Sequence, residues 1–118
     1  MKIGEQQSFS DASIIYSTFP DYASAYKICN TLLEENLIAC ANVLQNVSSI
    51  YKWEGEIKKS TEHIVILKTT KQLEERAILR VKELHPYTTP AVFSIAISRC
   101  AENFLDWIKS QLKGETGH

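Results

Sequence analysis

Short runs of β-branched and aromatic residues alternate along this chain with segments whose apolar positions recur every three or four residues. Ser13-Ile14-Ile15-Tyr16-Ser17-Thr18 is the first strand-like run. It stops at Phe19-Pro20-Asp21, because proline lacks a backbone donor and the aspartate offers an acceptor to cap a following helix. Tyr22, Ala25, Tyr26, Cys29, Leu32 and Leu33 then fall on one helix face. From Leu37 to Tyr51 the pattern turns strand-like, through Ile38, Val43, Leu44, Val47 and Ile50. Asn42, Gln45 and Asn46 interrupt the alternation and predict a bend or bulge. Trp53-Glu54-Gly55-Glu56 reads as a hairpin turn. Gly55 is the only glycine between Glu5 and Lys113, so a positive φ is expected there.

A second long strand, Glu56 to Thr70, follows, with Lys58-Lys59-Ser60-Thr61-Glu62 as a polar interruption. Leu73, Ala77, Ile78, Val81 and Leu84 predict a second helix ending near His85. Ala91 to Ser98 is nearly continuous apolar, as in a strand covered on one or both faces. Ala101 to Leu112 carries Phe104, Leu105, Trp107, Ile108 and Leu112, a last amphipathic helix. The order β-α-β-β-α-β-α predicts an α+β fold: a ferredoxin-like βαββαβ antiparallel sheet, two helices on one face and an added C-terminal helix. The central hairpin strands are long enough to overhang such a sheet and expose edges. Closed symmetric association buries edges of that kind, so a homo-oligomer is expected.

The length, 118 residues, fits one domain. Residues 1–12 read as a disordered polar lead, 13–112 as the single domain and 113–118 as a frayed tail. Thirteen basic residues against fourteen acidic ones leave a net charge of -1, which argues against a nucleic-acid or anionic-membrane binder. No apolar run approaches the roughly 20 residues of a membrane span. Met1 to Asp11 has no apolar h-region, so no secretory signal is expected. Cys29, Cys40 and Cys100 are widely spaced, without a CxxC pair, which excludes a zinc knuckle or dithiol motif. The expectation is a cytoplasmic protein with free thiols. Nucleophile, GxGxxG, P-loop and HExxH motifs are absent, so neither an enzyme nor an organic cofactor is expected.

His85-Pro86-Tyr87-Thr88-Thr89-Pro90 presents an imidazole, a phenol and two hydroxyls on a loop stiffened by Pro86 and Pro90. It reads as the lip of a functional cleft. Together with Ala39-Cys40-Ala41-Asn42, Ser49-Ile50-Tyr51-Lys52-Trp53-Glu54-Gly55, Leu67-Lys68-Thr69-Thr70 and Leu105-Asp106-Trp107-Ile108, it resembles the CutA family of divalent-cation-tolerance proteins. The matching segments cover most of Ser13 to Leu112. The resemblance implies a ferredoxin-like, PII-like subunit in a tight homotrimer, with divalent metal, especially copper, as the ligand class. Some members carry a thiol where Ser17 stands, so a thiol-rich copper site is not supported here.

Cys40 and His85 are the metal candidates, because thiolate and imidazole suit copper and zinc. Each has a bland alternative: Cys40 packing as a small hydrophobe, His85 capping the helix before it by donating to its last carbonyls. Tyr51, Trp53 and Tyr87 either line a pocket or serve as packing residues, the first two wedged into a neighbouring subunit. Lys68 and Glu62 are either solvated edge charges or the charged wall of an inter-subunit cleft, and a buried Lys68 would take Glu62 as its partner. His63 is expected to be exposed, Cys29 and Cys100 to lie in the core. Two functions follow. One is a cytoplasmic homotrimer for divalent-metal tolerance that binds ions at inter-subunit clefts. The other is a PII-like signalling or scaffold module that binds a small anion or metabolite near Lys68, His85 and Tyr87 and engages a protein partner.

Overall fold

A computed structural model of the chain describes residues 7–113. The elements are β1 (Gln7–Phe9), β2 (Ala12–Phe19), α1 (Tyr22–Glu34), β3 (Cys40–Trp53), β4 (Glu56–Thr70), α2 (Glu74–Leu84), β5 (Val92–Ala96), β6 (Arg99–Ala101) and α3 (Glu102–Lys113). Local chemistry sets most of these boundaries. Asp21 adopts an extended backbone and accepts from the Ser24 amide at 2.7 Å, which starts α1 where Pro20 stops β2. At the other end, Asn36 takes φ 59, and its N–H and that of Leu37 return to the carbonyls of Leu33 and Leu32. That is the left-handed termination that satisfies the last helix carbonyls. Only Ala25, Ile28, Cys29 and Leu32 of α1 are buried, so the apolar face is narrower than the spacing suggests. Tyr22, Tyr26 and Leu33 stay exposed.

The main sheet has the order β3-β4-β2-β5, all neighbours antiparallel. Helices α1 and α2 therefore each cross between two parallel strands with a third inserted, which is the split βαβ arrangement expected for a ferredoxin-like fold. Register fixes the two faces. Ile15 pairs with Leu67 and Ser94, and Ser17 with Val65 and Val92, on the side that α1 and α2 cover. Ile15, Phe19, Leu32 and Leu67 are fully buried there, each contributing on the order of 1.5–3 kcal/mol. Thr69 and Ser13, also fully buried, spend their hydroxyls on the Leu37 carbonyl (2.7 Å) and on Glu74 Oε2.

The opposite face carries Ile14, Tyr16, Ile64, Ile66, Phe93 and Ile95 by the same register. At one end α3 closes it, burying Leu105 and Ile108 with Ala12 and Ala39. Elsewhere it is open, leaving Leu44, Phe93 and Ile95 exposed by 44, 46 and 50%. The apolar β5 strand is thus covered on one face only. Beyond the sheet, β3 and β4 continue as a two-stranded arm, paired from Val47 and Glu62 to Trp53 and Glu56. A bulge between Leu44 and Val47, with Asn46 at φ 58, lies where polar residues broke the alternation. The arm makes the radius of gyration 16.0 Å, against about 13.5 Å for a compact chain of this length. At its tip Glu54 and Gly55 both have positive φ, 51 and 80, the requirement of a tight hairpin turn matched to strand twist.

Three expectations change. Gln7–Phe9 pairs with Arg99–Ala101 and Ala12 begins β2, so residues 7–12 are structured rather than a disordered lead. The predicted disorder of residues 1–6 and fraying of 114–118 fall outside the described residues. The polar stretch Lys58–Glu62 does not interrupt β4, because an exposed ribbon tolerates polar residues on both faces. Cys100 is half-buried beside the second apolar cluster, whereas Cys29 lies in the core as expected.

Candidate functional site

Pro86 disfavours the helical backbone in the residue before it, so α2 ends at His85, whose ψ is 140. The turn swings the imidazole beneath the end of β2, where it stacks on Phe19 (4.3 Å between centroids, 22° between planes) and is buried. Nε2 lies 2.8 Å from the Thr18 carbonyl, and Nδ1 accepts the Tyr87 N–H at 3.1 Å. The network therefore assigns the proton to Nε2. His85 does not donate to the last carbonyls of α2, as the capping alternative supposed; it donates to the neighbouring strand. Burial lowers its pKa below the ordinary 6.5, only partly opposed by the Thr18 hydrogen bond and the Glu62 charge.

Tyr87 follows on the loop, its ring 5.0 Å from that of His85, and its hydroxyl donates to Glu62 Oε2 at 2.9 Å. Burial first, then that carboxylate, push the phenol up to about 12. Tyr51 and Asp21 add smaller contributions of the same sign. The structure thus brings Glu62, His85 and Tyr87 together, with Tyr51 nearby. Pro90 is half-buried, and the Ser17 hydroxyl holds the adjacent Ala91 carbonyl at 2.7 Å. Ser17 is thus a structural clasp on the loop.

Cys40 and Lys68 lie elsewhere. Cys40 pairs with Lys68, and Lys68 with Ile14, whereas the Thr18 carbonyl that holds His85 is four residues further along β2. At about 3.3 Å per residue that is roughly 13 Å along the strand, so one chain does not unite Cys40 with His85. Lys68 Nζ sits 5.9 Å from the Phe104 ring centroid, a cation–π contact, rather than on Glu62. Trp53, at the arm tip, is 61% exposed, and Tyr51 is exposed as well. Gly55 has the positive φ expected of the turn, with nothing within 4 Å of where a Cβ would stand.

His63 corrects the exposed assignment: it is buried, and its Nδ1 accepts the Asn46 N–H at 3.4 Å, tying the bulge to β4. The signal was in the sequence, since period two puts His63 on the same face as Val65 and Leu67. Asp21, which feels the His63 charge, carries a pKa lowered chiefly by its hydrogen bonds from Ser24. Among the described residues no three of His, Cys, Asp and Glu gather as a metal centre. Within one chain, the lip at Glu62, His85 and Tyr87 offers a carboxylate, an imidazole and a phenol at most.

Residues 13–111 match the family model for CutA1 divalent ion tolerance protein. The chain belongs to that family. It is 45% identical over 100 residues to the divalent-cation tolerance protein CutA of Pyrococcus horikoshii, covering 85% of this chain and 97% of that one. The CutA1 crystal structure from Ehrlichia chaffeensis superposes with a TM-score of 0.84 at 42% identity, over 89% of this chain and 98% of that one. The Archaeoglobus fulgidus CutA structure, described as a periplasmic divalent cation tolerance protein, gives 0.82 at 38% identity, over 86% and 98%. The α+β fold of this CutA1 chain, with its four-stranded sheet and C-terminal helix, is that of these structures. No helix among its described residues is long and apolar enough to cross a membrane.

Proposed function

We propose that this CutA1 family member acts in divalent-cation tolerance as a non-enzymatic homotrimer that binds ions, copper among them, at clefts between subunits. The observation that carries the reading is incompleteness. The lip at Glu62, His85 and Tyr87 is preorganised, yet it holds too few ligands for a metal, and the sheet beside it leaves an apolar face open. A second and third copy laid on that face would bury it and bring further side chains to each lip. The Tyr51 to Trp53 arm reaches far enough to meet a neighbour, and strand residues such as Cys40 become available from another chain. The names of the relatives support the ion class. Cytoplasmic placement is part of the proposal and rests on the free, unpaired cysteines; the periplasmic description belongs to the A. fulgidus relative.

In this reading the ligand atom of His85 is Nδ1, which gives up the longer of its two hydrogen bonds, that from Tyr87 N–H. The competent imidazole is neutral. A pKa held below 6.5 by burial keeps that form available in mildly acidic solution, and affinity falls once pH drops through the lowered value. Calorimetric titration with Cu²⁺ and Zn²⁺ tests this, using the parent, His85→Ala, Glu62→Gln and Cys40→Ala. Weaker binding by the first two variants supports the cleft. Unchanged binding by His85→Ala leaves the histidine as a structural residue. The PII-like reading places its anion near Lys68, His85 and Tyr87. Anion binding that survives Cys40→Ala but fails in Lys68→Ala would favour it.

A further inference from the structure

At the opposite end of β2 from the Tyr87 lip, three distant segments enclose a groove of about 790 Å³, a volume in the usual range for small-molecule sites. The turn between β4 and α2 supplies Lys71 and Arg76, α3 supplies Lys109, and the end of α1 supplies Asn36. Two carboxylates also line it, and both are spent. Asp11 pairs with Lys109 at 3.2 Å, and both oxygens of Glu35 are held by Arg80 at 2.9 and 2.8 Å. The Glu74 carboxylate, two residues before Arg76, is turned away to Ser13. Among the described residues no acidic side chain pairs with Lys71 or Arg76. Lys71 and Arg76 thus face a concave space whose two carboxylates are already paired with other cations, although the whole chain is slightly acidic.

We propose that this groove binds a small phosphate-bearing molecule. The guanidinium of Arg76 matches two phosphate oxygens in its plane, and the Lys71 ammonium supplies a point charge beside it. Leu73 and Leu112 line the same groove and give an apolar body of the ligand a surface to rest on. Carboxamides from Asn36 and Gln72 offer neutral donors. All these residues belong to one chain, so the site does not depend on the assembly proposed above.

Phenyl phosphate and inorganic phosphate, titrated by calorimetry at low ionic strength, test the site. Phenyl phosphate should bind more tightly than inorganic phosphate. Lys71→Gln/Arg76→Gln should weaken it about tenfold or more, as expected when two charge-assisted contacts go. Lys27→Gln/Lys82→Gln, which removes the same charge from exposed helix surfaces, should change it by less than roughly twofold. Equal losses in the two double variants would show a diffuse charge effect and overturn the proposal, as would the absence of phenyl phosphate binding to the parent. Amide shift mapping in the parent reads the site without any substitution. Shifts centred on Lys71–Arg76 and on Lys109–Leu112 support the groove, and shifts centred on Glu62 and Tyr87 overturn it.

Discussion

Replacing His85 by alanine removes a ring only 9% exposed that joins β2, α2 and the proline loop. Three losses follow. The Thr18 carbonyl, at 2.8 Å from Nε2, loses its side-chain donor, and a buried acceptor left unpaired costs about 1–3 kcal/mol. The stacked contact with Phe19 at 4.3 Å contributes about 0.5–1.5 kcal/mol. The Tyr87 amide lies in an exposed loop, so water replaces Nδ1 there at little cost. The expected destabilisation is therefore on the order of 2–4 kcal/mol, measured by urea unfolding at fixed protein concentration. His85→Gln, whose amide can still donate to Thr18, should recover part of it. The pH dependence carries the sharper test. Burial lowers the folded pKa, so the unfolded chain takes up the proton first as pH falls below about 6.5. The contribution of His85 is fully present above that value and is lost as pH falls towards the lowered folded value. Alanine has no such proton, so the parent's advantage over His85→Ala should be constant above pH ~6.5 and shrink below it. An advantage that stays level from neutral pH into the acid range, or no destabilisation at all, would refute the assignment of a buried neutral imidazole.

The remaining predictions address the turn, the open sheet face and the thiols. Gly55→Val meets no atom within 4 Å, so its cost is backbone strain at φ 80 alone, about 1–3 kcal/mol in denaturant unfolding; an unchanged midpoint would refute the turn assignment. Ile95→Asp puts a charge in the middle of the open apolar face. Light scattering should show the parent at three times the 13.4 kDa chain mass and the variant at one chain, and a variant that keeps the trimer mass would place the contact elsewhere. Burial pushes the Cys29 thiol up to about 11, so brief alkylation at mildly basic pH should spare it while half-buried Cys40 or Cys100 reacts. Cys29 labelling as fast as either would contradict its core position.

The legible features were those whose cause lies within a few residues. Pro20 and Asp21 end a strand and cap a helix without reference to the rest of the chain, and a single central glycine announces the hairpin. The polar pair Gln45 and Asn46 likewise foretold the bulge between Leu44 and Val47. The illegible features depend on residues far apart in sequence. The β1–β6 pairing joins two three-residue strands from opposite ends of the domain, too short to carry a periodic signal. His63 sits on the buried face by alternation, but a histidine among charged neighbours reads as surface until its partner, the Asn46 amide, is known.

By itself the sequence determined the order of the four main-sheet strands and the three helices, the turn chemistry and the family, because each is written in spacing of two, three or four residues or in contiguous motifs. Only the tertiary structure decided what the polar residues do. It set His85 under Thr18, 67 residues away, and Tyr87 on Glu62. It parted Cys40 from His85 and gathered Lys71, Arg76 and Lys109 around one groove. The reason is physical. Backbone propensity and hydrophobic periodicity act locally, whereas a hydrogen bond or an ion pair exists only at a distance of a few ångströms, and register and packing alone fix those distances.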